Sequence, residues 1–167
     1  VRQRTTGVTV EVLVPDFHGR LRLIRALLQE AHPEVFAHNV ETVRRLSPLL
    51  RPQADYQRSL DVLSAAAAFA QGSLIKSSVM VGLGESEQEM EETFCDLRRC
   101  GVTHLTIGQY LRPDAEHLPV MEYISPVRFE RYRATARNAG FEWVQSGPFV
   151  RSSYHAKGSF EALKETL

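Results

Sequence analysis

The chain has 167 residues, of which 43% are hydrophobic and 24% charged, and its 20 basic and 20 acidic residues give zero formal net charge. This length suits about one soluble domain. No apolar run approaches the roughly 18 residues of a membrane span, no signal-peptide pattern opens the chain, and balanced charge gives no overall attraction to nucleic acid or anionic membranes. We therefore expect a cytoplasmic protein, or a mitochondrial or plastid one in a eukaryote, that binds neither nucleic acid nor membrane.

The first half of the chain alternates strand and helix patterns. The alternating β-branched residues of VTVEVLVP predict a strand over residues 8–15, and apolar residues at helical spacing predict a helix over residues 19–31. A short β-rich stretch follows over residues 35–41, and a weak helix pattern over residues 42–50 ends before a proline. A longer helix is predicted over residues 56–72, where it ends at a glycine.

The second half continues the alternation. Residues 74–85 comprise an apolar strand and the glycine turn into which it runs, and the helix over residues 86–101 begins with the S-x-x-E pattern of a capping box. Residues 104–111 read as another strand. A helix over residues 125–140 begins with Ser–Pro as its cap and first residue, and residues 141–147 form a last strand.

Strands that alternate with helices over short connections predict parallel strands in an α/β sheet or barrel. Functional residues of such folds lie in the loops that follow the carboxyl ends of the strands. Polar residues follow each predicted strand: Asp16 and His18; His38, Asn39 and Glu41; GLGE at 82–85; Gln109 and Tyr110; and SGPFVRSSYHA at 146–156. We therefore expect a site spread along that whole rim of the sheet.

Taken singly, these signals leave simpler alternatives open. The GLGE turn at 82–85 lacks the third glycine of a dinucleotide fingerprint and the lysine of a P-loop, which favours a tight turn. Asn39 is equally consistent with a turn in which it bonds its own backbone. Arg58 lies in the first turn of a helix, where its charge opposes the macrodipole, and a solvated helix face explains it as well. Cys95 and Cys100 indicate one core thiol and one helix-end thiol rather than a metal or redox pair.

Six stretches occur in this order: LVPDFHG, VFAHNVETV, RPQADYQRSLDVL, KSSVMVGLGE, GVTHLTIGQYLRPDAEHLPVMEYISP and GPFVRSSYHA. Together they cover residues 8 to about 157 and strongly resemble lipoyl synthases, which are radical S-adenosylmethionine enzymes. The resemblance implies a sulfurtransferase that inserts two sulfur atoms at C6 and C8 of an octanoyl chain on a carrier-domain lysine. It also implies two 4Fe–4S clusters, one that reduces S-adenosylmethionine to a 5′-deoxyadenosyl radical and an auxiliary one that donates the sulfur.

The same resemblance implies a fold and partners. The fold would be the later part of a radical-SAM partial (β/α)6 TIM-like barrel, with residues 1–167 in one core domain and residues 147–167 forming the cluster-contacting segment and tail. The carriers would be octanoylated lipoyl domains of 2-oxoacid dehydrogenase E2 subunits and the glycine cleavage H protein. A ferredoxin or flavodoxin would supply electrons.

Site residues follow from the resemblance as well. The second serine of RSSY, Ser153, would be the fourth ligand of the auxiliary cluster, where an alkoxide is more labile than a thiolate. Arg151 and Ser152 would position that segment. Asn39 and Glu41 would bond the ribose hydroxyls of S-adenosylmethionine. Arg58 would pair with the methionine carboxylate through its planar guanidinium. The backbone of the glycine turn at Gly82 and Gly84, and that of Gln109 and Tyr110, would flank the adenine.

The chain departs from the family pattern in its cysteines. Neither the C-x3-C-x2-C loop of the catalytic cluster nor the C-x4-C-x5-C run of the auxiliary cluster occurs, and Cys95 and Cys100 fall on a later helix. We therefore expect the chain to be the C-terminal part of a longer enzyme and to be inactive alone. Two alternatives stay open: a biotin-synthase-like radical sulfurtransferase, and a non-catalytic module that binds a nucleotide or a carrier domain.

Overall fold

Five parallel strands and the helices between them make up the computed structural model, which describes residues 4, 7–70 and 72–153. In chain order the elements are β1 Glu11–Leu13, α1 Leu21–Ala31, β2 Val35–Ala37, α2 Ser47–Leu50, α3 Tyr56–Phe69, β3 Leu74–Val81, α4 Glu87–Arg99, β4 His104–Gln109, α5 Pro126–Asn138 and β5 Trp143–Gly147. A short 3-10 turn, Phe17–Gly19, precedes α1.

Each strand pairs in parallel with its neighbours in sequence, so the order across the sheet is β1-β2-β3-β4-β5. Right-handed crossovers between consecutive parallel strands place the connecting helices on the same face of a sheet. The helices pack in the same sequence, with α1 against α3, α3 against α4, and α4 against α5. The predicted α/β class with parallel strands is confirmed, and the open sheet is consistent with part of a (β/α) barrel.

The helical face of the sheet carries the hydrophobic core. Alternate strand residues such as Phe36, Val79 and Ile107 pack with helix residues such as Leu63 and Phe94, and all of them are completely buried. Because successive strand residues point to opposite faces, the neighbours of these core residues lie on the other face of the sheet. The helices of the described residues lie on the core side, so within that part of the chain the second face is available for a site.

Polar and aromatic side chains join the strands on this second face. The buried Lys76 of β3 directs its ammonium Nζ at the Glu11 carboxylate of β1, 2.9 Å and 3.1 Å from the two oxygens. The same nitrogen lies 5.9 Å from the ring centroid of Trp143 on β5, and Trp143 stacks on His104 of β4 at 5.7 Å between centroids. Separating a buried ion pair would leave an uncompensated charge at a large cost in stability. The contacts of Lys76 with Glu11 and Trp143 therefore hold the outer strands β1 and β5 to the central strand β3.

Cap signals in the sequence place the starts of α4 and α5 correctly, whereas the helix predicted over residues 42–50 begins only at Ser47. Ser86 and Glu89 form the predicted capping box of α4, with both reciprocal bonds present, and the Ser125 hydroxyl accepts from the amide of Arg128 at the start of α5. Strand ends are less well predicted. The strand predicted over residues 8–15 spans only Glu11–Leu13, whereas β3 ends at Val81 and runs into the predicted glycine turn, where Gly82 has a left-handed backbone with φ of 97°.

The cap of α4 is also held by an arginine from the β2–α2 connection. Arg45 donates to both oxygens of Glu89, from Nε at 2.7 Å and Nη2 at 3.0 Å, while the amide of Ser86 donates to Oε2 at 2.8 Å. The hydrogen bond from Arg45, followed by that from Ser86, lowers the pKa of Glu89 to about 2. The ionised carboxylate is thus the form that the folded chain prefers.

We expect this carboxylate to contribute stability above its unfolded pKa of about 4.3 and to lose that contribution as the pH falls towards 2. Urea midpoints of the native chain and of Glu89→Gln should therefore converge over this pH range. Glu91→Gln, at an exposed position of the same helix, is the control. A difference between native and Glu89→Gln that stays constant with pH would contradict the prediction.

Candidate functional site

A cavity of about 340 Å³ opens on the second face of the sheet, at the carboxyl ends of the strands. It brings together five of the residues that the sequence predicted for the site: Asn39, Glu41, Gln109, Arg151 and Ser152. Apolar side chains of Leu13, Met80 and Leu111 form other parts of its wall. The five predicted residues come from three parts of the chain, namely the β2–α2 connection, the end of β4 and the segment after β5, which meet at this edge of the sheet.

Asn39 and Glu41 form a pair of oxygen acceptors in the cavity wall. The amide Nδ2 of Asn39 donates to Oε1 of Glu41 at 3.2 Å, and Asn39 Oδ1 is buried with no hydrogen-bond partner among the described residues. Burial raises the pKa of Glu41, against the opposing effects of the Asn39 bond and of Arg51. Acceptors left free in this way suit a ligand that presents hydroxyl donors.

The backbone of Glu41 is left-handed, with φ of 68°. Two bonds to β3 hold it there: its amide donates to the Ser78 carbonyl at 3.1 Å, and the Met80 amide donates to the Glu41 carbonyl at 2.8 Å. This conformation costs a non-glycine residue about 1–3 kcal/mol and is concentrated at functional sites. The strain is therefore a sign, independent of the sequence pattern, that the position of the Glu41 side chain matters.

Arg51, which the sequence analysis did not select, lies next to this pair. Its Nη1 donates to the carbonyl of Asn39 at 3.3 Å. Its charge is felt by two neighbours, since it opposes the rise in the pKa of Glu41 and adds to the effect of burial in lowering the pKa of His38. The Nδ1 of His38 lies 2.9 Å from the carbonyl oxygen of Val14. The one sequence signal for Arg51 is its place in the stretch RPQADYQRSL.

Arg58 lies outside the cavity wall, at the start of α3. Its Nε lies 2.7 Å from Oδ2 of Asp16 in an ion pair, and its Nη2 donates to the carbonyl of Gln53 at 3.1 Å. The guanidinium already has a carboxylate partner from within the chain. Its predicted role with a ligand carboxylate stays a prediction.

The glycine turn and Tyr110 lie beside the cavity rather than in its wall. The carboxylate of Glu85, itself buried, accepts from the amide of Gly82 at 2.7 Å and from that of Leu83 at 2.9 Å, which makes the GLGE stretch a tight turn. The carbonyl of Gly84 accepts from Arg45, and the hydroxyl of Tyr110 donates to the Leu118 carbonyl at 2.9 Å. These groups are engaged within the protein, and their predicted place beside an adenine stays a prediction.

The segment after β5 reaches the cavity by folding back over β4. A Cβ on Gly108 would overlap the carbonyl oxygen of Val150, so the segment lies directly on the strand at that glycine. Val150 is buried, while Ser152 is half-buried and Ser153 is exposed. The remaining residues of the predicted segment and tail, 154–167, lie outside the described residues.

An iron–sulfur cluster needs several ligand side chains held close together. No group of three or more His, Cys, Asp or Glu side chains within residues 4, 7–70 and 72–153 is arranged to bind a metal. Cys95 is exposed and Cys100 half-buried at the end of α4, and both are free thiols. The residues described therefore do not complete an iron–sulfur site. No described helix is long and apolar enough to cross a membrane.

Comparison with known proteins identifies close relatives along nearly the whole chain. It is 52% identical over 156 residues to a lipoyl synthase of Rubrobacter xylanophilus, covering 93% of this chain and 48% of the relative. A lipoyl synthase of Parabacteroides distasonis is 50% identical over 157 residues, with coverages of 94% and 55%. One of Chlorobaculum tepidum is 49% identical over 165 residues, with coverages of 99% and 56%. The chain thus spans about half the length of the curated relatives it matches.

Other comparisons add information on the fold alone. No family model matches the chain. The crystal structure of N-acetylneuraminate lyase from Fusobacterium nucleatum superposes with a TM-score of 0.51 at 13% identity, over 93% of this chain and 52% of the other. An identity this low carries no inference about chemistry.

The close contact between Gly108 and Val150 leaves no space for a side chain at residue 108. Gly108→Ala should displace the Val150 carbonyl and release the segment that carries Arg151 and Ser152, at a cost of about 1–3 kcal/mol typical of overpacking. Gly147→Ala is the matched control, because a Cβ there would meet Val150 Cγ2 at an ordinary 3.5 Å. Urea unfolding and hydrogen exchange over residues 148–153 measure both effects. Equal stability of the two variants would contradict the role of Gly108.

Proposed function

Since this chain is a homologue of lipoyl synthases along 93–99% of its length, we propose that it builds part of the S-adenosylmethionine site of such an enzyme. The protein to which it contributes would insert two sulfur atoms at C6 and C8 of a protein-bound octanoyl-lysine. Its carriers would be octanoylated E2 lipoyl domains and the glycine cleavage H protein, with ferredoxin or flavodoxin as reductant and the cytoplasm as location.

The observation that carries the proposal is the wall of the cavity at the carboxyl ends of the strands. Asn39 and Glu41 present adjacent acceptors, of which Asn39 Oδ1 is buried and without a partner among the described residues. A ribose offers two neighbouring hydroxyl donors, which match a carboxylate beside an amide oxygen. Leu13 and Met80 supply apolar wall for uncharged parts of a ligand.

A cation is needed for the methionine carboxylate, and two arginines are candidates. The resemblance assigns Arg58. Arg51 has the stronger structural support, because it donates to the Asn39 carbonyl and its charge acts on Glu41, whereas Arg58 is paired with Asp16. A guanidinium beside the ribose acceptors would bind the carboxylate through two parallel hydrogen bonds.

The two iron–sulfur clusters of the proposed enzyme would need ligands that the described part of this chain does not supply. Ser153, exposed at the end of the segment that lies over Gly108, is proposed as the hydroxyl ligand of the auxiliary cluster. Arg151 and Ser152 line the cavity and would position it. When bound, the clusters would supply the electron and the sulfur of the reaction. The chain by itself would bind without catalysing.

The roles of Arg51 and Arg58 can be distinguished by measuring the affinity of each alanine variant for S-adenosylmethionine. In a lipoyl synthase that carries this chain as its matching half, we expect Arg51→Ala to weaken S-adenosylmethionine binding by about 2–5 kcal/mol. The methionine carboxylate of the ligand would lose its guanidinium partner in a shielded site. Arg58→Ala should weaken it less. Calorimetric titration measures both, and 5′-deoxyadenosine, which lacks the carboxylate, is the control ligand whose affinity neither variant should change. A larger loss in Arg58→Ala would return the role to Arg58.

Ser153 is tested by comparing two products. In the same enzyme Ser153→Ala should leave 5′-deoxyadenosine formation in place and sharply reduce lipoyl product. The substitution would remove a ligand of the auxiliary cluster, which donates the sulfur, and leave the cluster that cleaves S-adenosylmethionine unchanged. Ser125→Ala, which removes the N-cap of α5, is the matched control for a general loss of stability. Normal lipoylation by Ser153→Ala would remove the assignment.

A further inference from the structure

The connection from β4 to α5 passes over the glycine turn that follows β3. Its residues 118–124, here called the strap, contain no helix or strand. The amides of Met121 and Glu122 both donate to the Gly82 carbonyl, at 2.9 Å and 3.3 Å, and the side chain of Met121 lies over Gly84. Two connections that are distant in sequence are thus bonded together at the end of the sheet.

The side-chain amide of Gln109 joins the strap to the sheet. Its Nε2 lies within donating distance of three carbonyl oxygens, those of Val81 at 3.2 Å, Tyr110 at 3.0 Å and Glu122 at 3.0 Å. Its Oε1 accepts from the amide of Ile124 at 2.9 Å. An amide has two donor hydrogens, so both are used by the main chain, and Gln109 is buried.

The glycine opposite leaves the space that this arrangement needs. A Cβ on Gly82 would overlap both Nε2 of Gln109 and the carbonyl oxygen of Glu122. Gly82 also has φ of 97°, which side-chain-bearing residues rarely adopt. The turn, the amide and the strap therefore fit together as one unit, at the edge of the cavity that Gln109 helps to line.

We propose that Gln109 is a positioning residue, whose amide fixes the strap over the Gly82–Gly84 turn and thereby shapes the cavity at the end of β4. This rests on the proposed function for its effect on S-adenosylmethionine. A glutamine at the edge of a nucleoside site would be suited to read the base, but this amide has no hydrogen left to donate. Gln109 acts on the ligand through the strap, which presents the exposed side chains of Met121 and Tyr123.

Gln109→Glu tests the proposal with a side chain of the same shape. At neutral pH the carboxylate would face the carbonyl oxygens of Val81, Tyr110 and Glu122 and could donate to none of them. In this chain we expect hydrogen-exchange protection of residues 118–124 to fall by about tenfold or more, with helix α4 unchanged. Gln29→Glu, exposed on α1, is the control. Protonation at low pH restores one donor, so protection of the strap should partly recover.

The outcomes are distinct. Unchanged strap protection, or equal loss in all protected segments without recovery at low pH, would overturn the proposal. In a lipoyl synthase carrying this half, Gln109→Glu should also raise the dissociation constant for S-adenosylmethionine by about tenfold. A loosened strap with unchanged affinity would overturn the positioning role. Failure of the native enzyme to bind S-adenosylmethionine would instead refute the proposed function, and the exchange measurement would still decide whether Gln109 holds the strap.

Discussion

The close approach of Val150 to Gly108 is the contact on which the assembled site depends. Parallel strands bring their carboxyl ends to one edge, but the last segment of the described chain reaches that edge only because β4 carries no side chain at this point. With any Cβ at residue 108 the carbonyl of Val150 would have to move, and Arg151 and Ser152 would leave the cavity wall with it. The absence of a side chain at Gly108 thus allows Arg151 and Ser152 to line the same cavity as the residues that follow β2.

The second requirement is a backbone held away from its preferred conformation. The bond that the Glu41 amide donates to the Ser78 carbonyl and the bond that its carbonyl accepts from the Met80 amide keep Glu41 left-handed. The strain falls on a residue whose carboxylate pKa is already raised by burial. Both costs are offset by the rigid sheet, whose strands are joined beneath the site by the Lys76–Glu11 ion pair. A stable frame that supports a strained, partly desolvated acceptor is the usual balance at a binding site.

The elements were predictable because their signals are local. Alternating apolar residues and the serine caps at Ser86 and Ser125 depend on neighbours within a few positions, and the structure confirms them. The rim of the sheet was predictable from topology. The partners of individual side chains were not: the pairing of Arg58 with Asp16 and the bonds from Gln109 to Glu122 join separate connections, so no local pattern encodes them. The family resemblance named candidate residues at the rim of the sheet, but it did not predict which side chains they contact.

The charges along the cavity give it a direction. Lys76 is neutralised by Glu11 below the site, so the acceptor pair of Asn39 and Glu41 has Arg51 as its neighbouring cation. A ligand with hydroxyl donors at one point and an anionic group a short distance away would therefore bind in one orientation, because reversing it would place the anion against the Glu41 carboxylate. Arg151 also lines the cavity, from the segment that rests on Gly108. The acceptor pair and its neighbouring cation thus both belong to the connection that follows β2, so this one connection supplies the asymmetry of charge.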